Sequence, residues 1–90
     1  MPFLKGENGK EGWDVIRENA KSVAEGGSVT VDMNGTTVVP SDLFELIRGR
    51  NVTLTFDMGG GILWRVNGRD VAENRAGDID FGVKPGANAN

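Results

Sequence analysis

Ninety residues are the length of one domain, and ten Lys and Arg against thirteen Asp and Glu leave a net charge of −3, without the basic footprint that nucleic acid or an anionic membrane requires. The chain has no Cys, no His and no Tyr, which excludes a disulfide framework, thiolate or imidazole catalysis and the commonest metal ligands. No apolar run approaches the ~20 residues of a membrane-spanning helix, and "MPFLKGENGK" lacks the basic and apolar regions of a signal peptide.

In chain order, residues 1–11 are rich in Gly and charge and read as a linker. "GWDVIRENAKSVAEGG" then shows helical spacing: Trp13, Ile16, Ala20 and Val23 or Ala24 fall three and four apart. Gly26-Gly27 is expected to stop this helix, one glycine taking the left-handed position after the cap. "SVTVDMNGTTVV" changes to a period of two, with Val29, Val31 and Met33 on one face. Asn34-Gly35 signals a type I′ hairpin, which would pair Val31 with Val38. Pro40 ends that strand, and Ser41 is placed to cap a short helix carrying Leu43, Phe44, Leu46 and Ile47.

Val52, Leu54, Phe56 and Met58 alternate with Thr53, Thr55 and Asp57, and after Gly59–Gly61 the alternation resumes with Ile62, Trp64 and Val66. A three-residue glycine loop would pair Met58 with Ile62, Phe56 with Trp64 and Leu54 with Val66, giving apolar cross-strand neighbours throughout. A phosphate-binding loop would need a Lys and a following helix; a strand follows instead. Asn67-Gly68 predicts a second type I′ turn, pairing Trp64 with Val71 and Arg65 with Asp70. That ion pair would contribute ~0.2–1 kcal/mol. "DIDFGV" alternates once more through Ile79, Phe81 and Val83, and residues 84–90 read as a disordered tail.

The expected fold is therefore α+β in the order αββαββ(β): a mainly antiparallel sheet with both helices packed on one face. One domain spans residues 12–83, with a two-fold internal repeat over 12–39 and 41–66 weighed against two hairpins that merely share turn chemistry. Trp64, between Phe56 and Val71, reads as core, so that Trp64→Ala would cost roughly 3–5 kcal/mol. Trp13 reads as a lid on the sheet.

Little in this pattern carries chemistry. Asp32 and Asp57 occupy matching sites before the two turns and could form a carboxylate pair, but solvated strand ends are far commoner. "DMNG" at residues 32–35 fails as a calcium loop, because position twelve is Leu43. Arg48, Arg50, Arg65 and Arg69 could form a small basic patch, without the interleaved aromatics of a nucleic-acid site. Lys5, Lys10, Lys21 and Lys84 are poorly placed for a buried lysine crosslink. Asn51-Val52-Thr53 is a glycosylation sequon, of consequence only in a eukaryotic secretory pathway. No catalytic, cofactor-binding or metal-binding residue is assigned.

"GWDVIRENA", "VTVDMNGTTVVPSDLFELIRG" and "VTLTFDMGGGILWRVNGRDV" resemble a small module that recurs in multi-domain secreted or wall-associated proteins of Gram-positive, often gut, bacteria. There it stands beside leucine-rich, immunoglobulin-like or surface-anchoring domains. The resemblance covers residues 12–83 and implies an extracellular or wall-associated setting; the role expected there is a non-catalytic, monomeric spacer or adhesion unit that meets at most a protein or glycan partner. It carries over no activity and no functional residues. A carbohydrate-binding module using exposed aromatics is the alternative. In the similar proteins "DIDFGVK" runs on into a further β-rich segment, which leaves open whether the last strand belongs to this fold or to the next.

Overall fold

A computed structural model describes residues 2–4, 12–71 and 79–80. The elements are β1 (Phe3–Leu4), α1 (Trp13–Ser22), β2 (Ser28–Asp32), β3 (Val38–Val39), α2 (Ser41–Ile47), β4 (Thr53–Gly59), β5 (Ile62–Asn67), a 3₁₀ turn over Gly68–Asp70, and β6 (Ile79–Asp80). This is an α+β fold. Its main sheet has the order β1-β2-β4-β5, and a separate two-stranded ribbon pairs β3 with β6.

The main sheet is mixed. β1 with β2 and β4 with β5 run antiparallel, while β2 and β4 are parallel neighbours. Parallel strands need a long crossover, and residues 33–52, including α2, supply it. Every β2–β4 pair, from Ser28↔Thr53 to Asp32↔Asp57, joins residues 25 apart in sequence. The spacing from helix to strand is also the same in both halves: Ser22 to Ser28, and Ile47 to Thr53. Two equal helix-strand steps thus lie side by side.

That arrangement overturns the hairpin expected at Asn34-Gly35. The turn itself forms, with positive φ at both residues and Thr36 N–H donating to the Met33 carbonyl at 2.8 Å. The strand after it does not fold back, because both edges of β2 are already occupied, by β1 and by β4. It leaves as β3, where Val38 and Val39 pair with Asp80 and Ile79. Phe3–Leu4, within the stretch read as linker, forms the edge strand against β2, with Pro2 and Leu4 buried. Phe81, Val83 and the tail lie outside the described residues.

The glycine hairpin is borne out with a shifted end. Phe56 pairs with Trp64 and Leu54 with Val66, as the alternation predicts, but Ile62 pairs with Gly59 rather than with Met58. Met58 is the extra residue of a β-bulge, and the loop shortens to Gly60-Gly61. Gly59, Gly60 and Gly61 all have positive φ, which is why three glycines stand in a row.

Asn67-Gly68 makes no hairpin. Asn67 caps the 3₁₀ turn instead, its side chain accepting from Arg69 N–H at 3.0 Å. Gly68 packs on the end of α2, so the expected pairings of Trp64 with Val71 and of Arg65 with Asp70 are replaced. Trp64 and Arg65 pair with Phe56 and Thr55 of β4.

The core lies between the helices and one sheet face. Ile16 and Ala20 of α1, Leu43, Phe44 and Ile47 of α2, Val29 and Val31 of β2, and Leu54 and Phe56 of β4 are all buried, with Met33 and Met58 beyond the strand pairs. Phe44 and Phe56 meet with ring centroids 6.1 Å apart and planes tilted by 52°, a favourable aromatic geometry.

α1 ends at Ser22, before the glycines expected to stop it. Arg50 supplies part of the capping. Its guanidinium donates to the carbonyls of Ala20 (2.9 Å) and Val23 (2.7 Å) at the end of α1, and to that of Leu46 (3.0 Å) in α2. One side group thus ties both helix ends together, satisfying carbonyls that a terminating helix leaves orphaned. On the outer surface Arg17 of α1 makes a two-point contact with Asp42 of α2, at 2.6 and 3.2 Å, and reaches Asp14 at 3.0 Å.

Candidate interaction surface

The polar residues singled out by sequence hold the fold's own corners. Asp32 and Asp57 stand in register on neighbouring strands. Each turns a carboxylate oxygen onto a backbone N–H two residues ahead: Asn34 N–H to Asp32 Oδ1 and Gly59 N–H to Asp57 Oδ1, both 2.9 Å. These are Asx turns, the local bond that short acidic side chains offer the backbone where a strand bends. The structure brings the two residues side by side, and it uses each carboxylate to shape a turn. Among the described residues no group of three or more acidic side chains is placed to hold a metal ion.

The four arginines separate. Arg48 pairs with Glu45 at 2.8 Å, and Arg50 is committed to the helix carbonyls. Arg65 stands exposed on β5, and Arg69, exposed after it, donates from Nε to Asn67 Oδ1 at 3.3 Å. The hydrogen bonds that Arg17 donates to Asp42 raise the Arg17 pKa against a smaller opposing effect of desolvation. Lys21 lies exposed on α1, while Lys5, Lys10 and Lys84 fall outside the described residues. Asn51 Oδ1 accepts from Asn67 Nδ2 at 3.0 Å, so the sequon asparagine serves a loop-to-strand contact.

The two tryptophans divide. Trp13 is half-buried and packs against the core, as a lid would. Trp64 is 37% exposed, which overturns its assignment to the core. Its face is the expected one, shared with Phe56, but β5 is the last strand of the sheet order. Alternation along a strand determines which side a residue takes, not how far the helices reach across that side.

Leu63, one residue earlier, is 44% exposed on the opposite face, across from Asp57. Ile62 and Val66 beside them are half-buried. The edge strand thus presents an aliphatic group on one face and an indole on the other, with Arg65 next to both. The sequence carries a signal for this. Ile62, Leu63 and Trp64 are consecutive apolar residues, and in a strand the middle one must point away from its neighbours' face. Arg50's clamp has no comparable signal, because its three acceptors are main-chain carbonyls 4 to 30 residues away.

No protein-family model, no curated protein and no solved structure matches this sequence.

Proposed function

We propose that this domain is a non-catalytic module of a larger extracellular or wall-associated protein, serving as a structural spacer and adhesion unit. The observation that carries this reading is the exposed indole of Trp64 on β5, with Leu63 exposed on the other face of the same strand. An exposed tryptophan beside an arginine has the composition of a protein-contact hot spot. The use of Asp32, Asp57, Arg50 and Asn67 in turns, caps and loop contacts fits a role in which the fold itself is the product. The extracellular setting rests on the sequence resemblance.

The indole of Trp64 also supports the second reading, a carbohydrate-binding module, since an exposed aromatic ring can stack on a sugar. Retention of the purified domain on isolated Gram-positive cell walls separates the two. Adhesion to a protein partner predicts retention that is lost when the walls are first treated with protease. Carbohydrate binding predicts retention that survives protease and is competed by a soluble wall glycan, with a shift in Trp64 fluorescence. Absence of retention under both conditions would contradict the adhesive role.

A further inference from the structure

Among the described residues the dipeptide Asn-Gly occurs in two very different settings. Asn34-Gly35 forms the exposed turn after β2, and Asn67-Gly68 forms the half-buried junction after β5. Asparagine followed by glycine is the sequence most prone to spontaneous deamidation, because nothing on the glycine shields its backbone nitrogen from the asparagine amide. That nitrogen attacks the Cγ carbonyl of the asparagine, the bond from Cγ to Nδ2 breaks, and ammonia leaves. Water then opens the resulting succinimide ring to aspartate or isoaspartate. Water is the sole co-reactant, and no oxidation or reduction occurs.

From these two settings we propose that Asn34 is a modification site of the folded protein, converted to aspartate or isoaspartate, and that Asn67 is protected. At Asn34, both residues of the dipeptide are exposed. No described residue accepts a hydrogen bond from Gly35 N–H, and a β-carbon added at Gly35 would meet open space. At Asn67 the attacking nitrogen is engaged, since Gly68 N–H donates to the Val52 carbonyl at 2.8 Å. Gly68 is buried against the Ile47 and Arg50 carbonyls. Reaction there requires that corner to open first.

The modification adds a carboxylate two residues from Asp32, which is itself in register with Asp57. The isoaspartyl product also lengthens the backbone of the turn between β2 and β3. The exposed corner of the two parallel strands therefore becomes more acidic with age, without an enzyme.

Peptide mapping tests this directly. Trypsin places each dipeptide in its own fragment: Asn34 is the one asparagine of residues 22–48, and Asn67 the one asparagine of residues 66–69. Asn8-Gly9 falls in residues 6–10 and does not interfere. The 90-residue chain is incubated at mildly alkaline pH in native buffer and, in parallel, in concentrated urea. Deamidation is then followed by mass, with chromatographic separation of the isoaspartyl form. The native protein is expected to deamidate at Asn34 at least about tenfold faster than at Asn67, because Asn67 reacts only from an opened state, and in urea the two rates should converge. Equal native rates would overturn the proposal. So would an Asn34 that stays intact in native buffer while reacting in urea.

Discussion

Gly68 is seated so closely on α2 that a β-carbon there would overlap the carbonyl oxygen of Ile47. Its own carbonyl accepts from Gly49 N–H, and its N–H donates to Val52, both at 2.8 Å. This one glycine therefore joins the end of β5 to the end of the second helix. Gly68→Ala should destabilise the domain by about 3 kcal/mol, because the clash is with backbone, which cannot swing aside. Gly61→Ala is the control. It has open space around it but a φ of 82°, and should cost about 1–2 kcal/mol from backbone conformation alone. Urea melts of the two variants give the comparison, and an equal cost would remove the special role of Gly68.

Arg50 should be the most sensitive charged residue of the described fold. Arg50→Ala leaves the carbonyls of Ala20, Val23 and Leu46 without their donor, at an expected cost of about 2–3 kcal/mol. Arg50→Lys should recover less than half of it, since a single ammonium cannot reproduce the planar fork that reaches both helix ends. Full rescue by lysine in a chemical melt would show that charge, rather than this geometry, is what matters.

Arg17 and Asp42 tie the helices together from outside, where solvent screens them. Asp42→Asn should cost about 0.5 kcal/mol at low salt and approach zero in high salt. The pH dependence has a definite sign. The hydrogen bonds donated to Asp42 raise the Arg17 pKa, so the guanidinium's contribution is complete below the ordinary arginine range. It is lost only as pH rises through the raised value, in strong alkali. Between neutral and moderately alkaline pH the Arg17→Ala difference in stability should stay constant.

The parts of this fold that were legible in the sequence are those governed by near neighbours. Period-two runs located β2, β4 and β5, the pairing of Phe56 with Trp64 followed from the glycines, and Asn34-Gly35 adopted its turn. What escaped depends on residues far apart in sequence. The pairing of β2 with β4 is decided by which edges are already occupied, and no local pattern around Asn34 records that Phe3–Leu4 and Thr53–Gly59 hold them. Asn67-Gly68 matches the first dipeptide letter for letter, yet Gly68 is claimed by the end of α2. The candidate surface was half legible for the same reason. Alternation placed Trp64 on the helix-covered face, while its exposure follows from the position of β5 at the end of the sheet.

Trp64 also provides the most direct test of the adhesive role. The measurement is retention on isolated Gram-positive cell walls, at equal concentrations of folded protein, for the wild type and Trp64→Ala. Truncating an indole 37% exposed should cost about 2–3 kcal/mol of stability, less than for a fully buried one, and circular dichroism of the variant establishes the folded fraction used in the comparison. Removing the exposed aromatic of the proposed contact surface should lower retention by about tenfold or more. Retention of the variant equal to that of the wild type would contradict the assignment of the β5 edge as the surface through which this domain adheres.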